Sequence, residues 1–207
     1  MERTRFVLIR HGQTVWNQEN RFRGQLNPEL DELGLRQADA TGKYVARRWP
    51  VVAVYSSPLS RALQTASAVA HEQGLDVESF SGLMDVNFGY LHGKTWDEAA
   101  ARWPEVTRAW IEAPHTVHFP GGESLDNVRQ RAWSGLCELS ERHTGQCVAL
   151  VSHTVVNKVL LCAVLGLGNE HFWRVHQDTC AVNVFESVQG VYVVTLLNDT
   201  SHLLDVL

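Results

Sequence analysis

Phe6-Val7-Leu8-Ile9-Arg10-His11-Gly12-Gln13-Thr14 is the stretch from which the fold can be read. Four consecutive apolar, β-prone residues suit a strand buried on both faces, as strands of parallel sheets are. The run stops abruptly at Arg-His-Gly. In open parallel sheets, sites form where strands end at their carboxyl edge. Arg10 offers a planar fork of donors suited to phosphate. His11 offers a nucleophilic nitrogen whose ordinary pKa lets it be neutral near pH 7. Gly12 allows close backbone approach to a bound anion.

Two more segments repeat this pattern. Val51–Tyr55 is an apolar strand that empties into Ser56-Ser57-Pro58-Leu59-Ser60-Arg61. Ser57 suits a helix N-cap and Pro58 the first helical position, so a helix is expected over 58–71 with Arg61 in its first turn. Val148–Val151 ends in Ser152-His153-Thr154, followed by a helix over 155–165 that Gly166 stops. Further helices are expected over 34–48 and 125–143, and a short strand at 77–80. A closing hairpin is expected from 182–186 and 191–197 around Gln189-Gly190. Alternating strands and helices imply an α/β fold, a three-layer α/β/α sandwich with a mostly parallel central sheet.

No Gly/Ser tract, Pro-rich run, block of like charge or internal repeat divides the 207 residues, so one domain over 1–207 is expected. Its irregular part is a helical insertion around 83–122, with short helices at 96–103 and 105–111. The net charge of −5 and pI near 6.0 argue against nucleic-acid or anionic-membrane surfaces. Residues 1–70 nonetheless carry a net +4, compatible with a small anionic substrate. There is no signal-peptide h-region and no apolar run long enough to span a bilayer, so a cytoplasmic protein is expected. Cys137, Cys147, Cys162 and Cys180 lack C-x-x-C spacing and read as reduced cysteines. The remaining histidines show no metal-ligand spacing. Trp96, Trp103 and Trp110 recur at sevens, which reads as core packing.

Arg10-His11, Ser57 with Arg61, and Ser152-His153 would converge at one sheet edge. Two His and two Arg there fit phosphoryl transfer: one His attacks phosphorus while the other three groups neutralise the non-bridging oxygens. The segment 13–33 is too long for a plain βα turn and reads as a loop over the site. From it Arg21, Arg23, Gly24 and Gln25 are candidate substrate contacts, and the two arginines point to a carboxylate or second phosphate on the leaving group.

Taken together, Arg10-His11-Gly12 with Trp16-Asn17, Ser57-Pro58-Leu59-Ser60-Arg61-Ala62-Leu63-Gln64-Thr65-Ala66, Pro120-Gly121-Gly122-Glu123-Ser124 and Ser152-His153 resemble the histidine phosphatase superfamily. That superfamily holds cofactor-dependent phosphoglycerate mutases and many small-molecule phosphatases. The resemblance spans essentially the whole chain and implies a phosphoglycerate mutase-like fold. It implies His11 as nucleophile forming a phosphohistidine, and Arg10, Arg61 and His153 as the phosphate pocket, with a hydrogen bond from Asn17. The family's proton-donating Glu is replaced by Asp85 in Leu83-Met84-Asp85-Val86-Asn87-Phe88-Gly89, one methylene shorter. Thr154 stands where Gly often follows the second His; it narrows the pocket or adds a hydroxyl. Glu123 and Ser124 either position the site or cap the helix from Leu125.

The mutases add basic residues from a longer insertion. Here 85–124 holds only Lys94, Arg102 and Arg108, which favours the phosphatases. The expectation is a metal-independent phosphatase acting on a small phosphorylated metabolite, without metal or cofactor; family habit adds a homodimer. The alternatives are a phosphoglycerate mutase and a catalytically impaired phospho-ligand-binding domain.

Overall fold

The computed structural model describes residues 2–19 and 21–206. Six strands build one sheet: β1 (Thr4–Arg10), β2 (Ala53–Ser56), β3 (Val77–Ser79), β4 (Cys147–Ser152), β5 (Val182–Val188) and β6 (Val191–Asp199). Their order is β3-β2-β4-β1-β5-β6. The first four run parallel; β5 and β6 form the expected hairpin, antiparallel against β1.

β1 lies inside the sheet, and Phe6, Val7, Leu8 and Ile9 are each 0% exposed. Alternation along the strand sends Phe6 and Leu8 to one face and Val7 and Ile9 to the other. The first face packs on α6 (Leu125–Arg142) and α7 (Thr154–Val164) through residues such as Val128, Leu136, Val156 and Leu160. The second packs on α2 (Glu32–Arg48) and α3 (Ser60–Gln73) through Val45, Ala62, Ala66 and Val69. Helices thus cover both faces of a mostly parallel sheet. Each fully buried side chain contributes on the order of 1.5–3 kcal/mol, which holds β1 in register under the site.

The remaining helices are short: α1 (Val15–Gln18) in the loop after β1, then α4 (Trp96–Arg102) and α5 (Pro104–Glu112) in the irregular middle. The loop over 13–33 is therefore not wholly irregular. Among the described residues no helix is long and apolar enough to cross a membrane. The four cysteines are free thiols.

Three local expectations are corrected. α3 starts at Ser60, with Leu59 extended before it, so Ser57 is not its cap. Instead Asn27 Oδ1, from the loop after β1, accepts the Ser60 N–H at 2.7 Å. α2 starts at Glu32, where Asp31 accepts from the Gly34 N–H at 2.8 Å. Gly12 is small for packing rather than for an anion: a Cβ there would lie 2.6 Å from Gly34 O. Its N–H is already donated to Thr65 Oγ1 at 3.1 Å.

Candidate active site

The carboxyl ends of β1 and β4 are adjacent, since Arg10 pairs with Ser152 across the sheet. His11 and His153 therefore emerge side by side, their ring centroids 5.1 Å apart. β2 ends on the other side of β4 and α3 follows after a short turn, which brings Arg61 in its first turn to the same place. The three strand endings do converge. The helix N-termini there also favour negative charge.

The His11 ring is held in one tautomer. Its Nδ1 lies 2.7 Å from Gly12 O, a carbonyl that only accepts, so Nδ1 carries the proton. Nε2 is left with its lone pair, and Arg61 Nε–H points at it from 3.3 Å. Burial holds the imidazole pKa well below 6.5, and Arg61, His153 and Arg10 push the same way. The ring is neutral and nucleophilic at neutral pH.

Arg61 is buried and donates to Leu26 O at 2.8 Å, Gly24 O at 2.7 Å and Asp85 Oδ2 at 3.0 Å. Arg10 Nη1 donates to Gln177 O at 2.6 Å, while its buried Nε has no partner, a donor left for substrate. Burial, then Arg23, lowers the Arg10 pKa to about 10, so it stays charged.

His153 is buried and neutral for the same first reason as His11, desolvation, followed by Arg61. Its Nε2 sits 2.7 Å from Ser57 Oγ. That oxygen already accepts, at 3.4 Å, from Leu59 N–H. Nδ1 faces the Asp85 carboxyl group, which favours the His153 proton on Nδ1 and leaves Nε2 to accept from the Ser57 hydroxyl. Nδ1 is buried without a hydrogen-bond partner, 3.6 Å from Asp85 Oδ2. It is a second donor left for substrate. In the free site His153 therefore offers a neutral N–H dipole.

Asp85 is brought to this pocket by a strut that sequence reading missed. Arg131 of α6 donates to Asp85 O at 3.1 Å and Gly82 O at 3.0 Å, and pairs with Glu123 at 2.9 Å. Glu123 in turn accepts Asn87 N–H at 2.8 Å, and Ser124 caps α6. Glu123 thus supports the site while Ser124 caps the helix. Ser152 Oγ fixes Leu83 O at 2.7 Å. Burial raises the Asp85 pKa above 3.8 against the opposing pull of Arg61. A carboxyl poised toward its protonated form can donate a proton.

A cleft of about 970 Å³ opens above these groups. Arg10, His11, Asn17, Arg21, Arg23, Gly24, Asp85 and Thr154 line it. Gln25 does not: its side-chain amide donates to Asp85 O at 3.1 Å and holds the acid's segment. Asn17 Oδ1 caps α1 by accepting from Thr14 N–H at 3.0 Å. Arg21, at the cleft, pairs with Glu19 at 2.5 Å. Trp110 is buried in the core and Trp96 and Trp103 pack against it, as expected, and Trp96 and Trp110 also edge the cleft. Among the described residues no three His, Cys, Asp or Glu side chains gather as a metal site.

Gln177 escaped sequence reading because it serves Arg10 through a backbone carbonyl, which any residue supplies. Arg131 carried no signal beyond its place on an amphipathic helix.

The histidine phosphatase superfamily (branch 1) matches residues 6–200. Phosphoserine phosphatase 1 of Hydrogenobacter thermophilus is 36% identical over 199 residues, covering 96% of this chain and 94% of the relative. The metal-independent phosphoserine phosphatase of Arabidopsis thaliana is 32% identical over 211 residues, covering 98% and 84%. The solved structure of Bacillus stearothermophilus YhfR superposes with a TM-score of 0.91 at 32% identity, covering 96% of this chain and 98% of that one.

Proposed function

The chain belongs to the histidine phosphatase superfamily, and from its site we propose a metal-independent phosphatase of small-molecule phosphate monoesters. The observation that carries the proposal is the His11 lone pair at Nε2, ringed by donors that lack protein partners: Arg10 Nε and His153 Nδ1–H. His11 Nε2 attacks phosphorus, and the bond to the ester oxygen breaks as that oxygen takes a proton from Asp85. Arg10, Arg61 and the His153 Nδ1–H receive the non-bridging oxygens, with Asn17, Arg23, Gly24 and Thr154 in the surrounding wall. Asp85, now a carboxylate, takes a proton from water as that water attacks the phosphohistidine. The N–P bond breaks, and phosphate and neutral His11 are restored.

One sheet and a family match over 6–200 support reading residues 1–207 as one catalytic domain, with 83–122 as its leaving-group wall. The related plant enzyme's description supports metal independence. Reduced thiols agree with a cytoplasmic setting.

Phosphorus NMR of wild type and His11→Ala with a panel of phosphate monoesters, including 3-phosphoglycerate with its bisphosphate primer, tests the proposal. Free phosphate from wild type alone is expected. Conversion of 3- to 2-phosphoglycerate without phosphate release would make the protein a mutase. Near-normal activity in His11→Ala would refute the mechanism.

A further inference from the structure

The wall above the phosphate pocket is built for something other than a small polar alcohol. A cleft of about 970 Å³ is near the upper end for small-molecule sites, and phosphate fills only its floor. Six of its lining residues are aromatic: Phe22, Phe88, Trp96, Trp110, Phe172 and Trp173. They form one connected ribbon. Trp96 stacks on Phe22 at 5.8 Å, and Phe22 meets Phe88 edge-on at 5.1 Å. Phe88 reaches Trp110 at 6.3 Å, and Trp110 contacts Phe172 and Trp173 at 5.1 and 5.5 Å.

Most of these rings are buried, but Trp173 is 49% exposed. It is nevertheless fixed. Its indole N–H donates to Trp110 O at 2.8 Å, and the Lys158 ammonium lies 4.5 Å from the ring centroid. A large apolar ring left half open yet held in one orientation is a preformed contact surface.

Part of the donor capacity of the polar side chains nearby is already taken up. Glu19 and Arg21 are spent on each other, and Arg21 also donates to Gly93 O. Arg23 Nη1 is donated to Trp16 O. Asp97 adds a carboxylate to the same wall, which repels a second carboxylate.

We infer that this ribbon is the leaving-group subsite, and that the substrates are phosphate monoesters of flat, largely apolar, ring-bearing alcohols. The inference rests on the phosphatase reading for where phosphate sits, and it names the class of alcohol that departs.

Two phosphonates that cannot be hydrolysed separate the subsite from the chemistry. 2-Phenylethylphosphonate and propylphosphonate carry the same anion and differ by the ring. By calorimetry the phenyl compound is expected to bind roughly tenfold to a hundredfold more tightly, the return for burying one ring. Trp173→Ala should narrow that ratio and Trp173→Phe should restore most of it. Equal affinities in wild type overturn the inference, whatever turnover shows.

Turnover is then compared for 2-phenylethyl phosphate, propyl phosphate and phosphoserine, all esters of primary alcohols, so that leaving-group basicity does not decide the order. The phenyl ester is expected to have at least a tenfold higher kcat/KM. A preference for phosphoserine over the phenyl ester would overturn the inference and leave the phosphatase standing. Ring-dependent phosphonate binding without hydrolysis of any ester would support the ring subsite and refute the phosphatase.

Discussion

Replacing Asp85 with Asn tests the acid directly, because the change removes the proton of the acid form and the charge of the carboxylate form while keeping the shape. The amide has nearly the carboxyl's shape, and its oxygen can still accept from Arg61 Nη2, which lies 3.0 Å from Asp85 Oδ2. What disappears is the transferable proton and the negative charge beside Arg61. A positioned general acid is worth about 10²–10⁴ in rate, or roughly 2.7–5.5 kcal/mol. That full loss is expected for an alkyl phosphate, whose alkoxide cannot depart unprotonated. For 4-nitrophenyl phosphate, whose phenolate leaves without help, kcat/KM should fall less than about tenfold, because kcat/KM reports the steps through phosphorylation of His11 and not the later water attack that Asp85 also assists. KM for both esters should stay level or drop, since Arg61 no longer shares its charge with a carboxylate. Steady-state kinetics on the two esters decide the matter. Equal losses in kcat/KM would show that Asp85 does not protonate the leaving oxygen, and the assignment as acid would be refuted.

The other expectations can be checked independently. Ser57→Ala should free the His153 proton from Nδ1, seen as a changed pattern of imidazole nitrogen shifts in ¹⁵N NMR. Removing one transition-state donor costs about 10²–10³, and a freed His153 still presents it part of the time, so kcat should fall roughly tenfold. His11 and His153 are neutral in the fold, with pKa values below the unfolded 6.5. Their contribution to stability is complete above pH 6.5 and is lost as pH falls, because the unfolded chain binds protons the native one does not. Each can lose up to about 1.4 kcal/mol per pH unit below 6.5, so urea denaturation of His11→Ala should show the shallower acid slope. Activity should survive EDTA; loss on chelation, restored by Mg²⁺ or Zn²⁺, would contradict metal independence.

What could be read in the sequence was whatever the backbone announces locally. Phe6–Ile9 announced a doubly buried strand, and a polar residue after each such run announced the edge where His11, Arg61 and His153 meet. The limits were equally physical. Ser57 looked like a cap because Ser-Pro usually is one, yet Asn27 reached across from another loop to take that duty. Its hydroxyl was thereby left for His153, a contact 96 positions away in the chain. Trp96 and Trp110 fitted a core period and do pack in the core, but their period did not show that they also edge the cleft, which is set by the elements that lie opposite them. The Arg131 strut is invisible for the same reason: its acceptors, Gly82 O and Asp85 O, are backbone atoms without a side-chain signature.

The strut also makes the reaction sensitive to the fit of the departing alcohol. Glu123 and Arg131 clamp the backbone at both Asp85 and Asn87, and Phe88, the next residue, is part of the aromatic wall. The acid and that wall are one lever, held from the α6 side by Arg131 and Glu123 and from the sheet only at Leu83, through Ser152. A ligand that seats poorly against Phe88 tilts the proton donor while leaving the nucleophile untouched. Misfit is then recorded in the speed of bond breaking as well as in the strength of binding, so selectivity among alcohols would appear in kcat and not in KM alone.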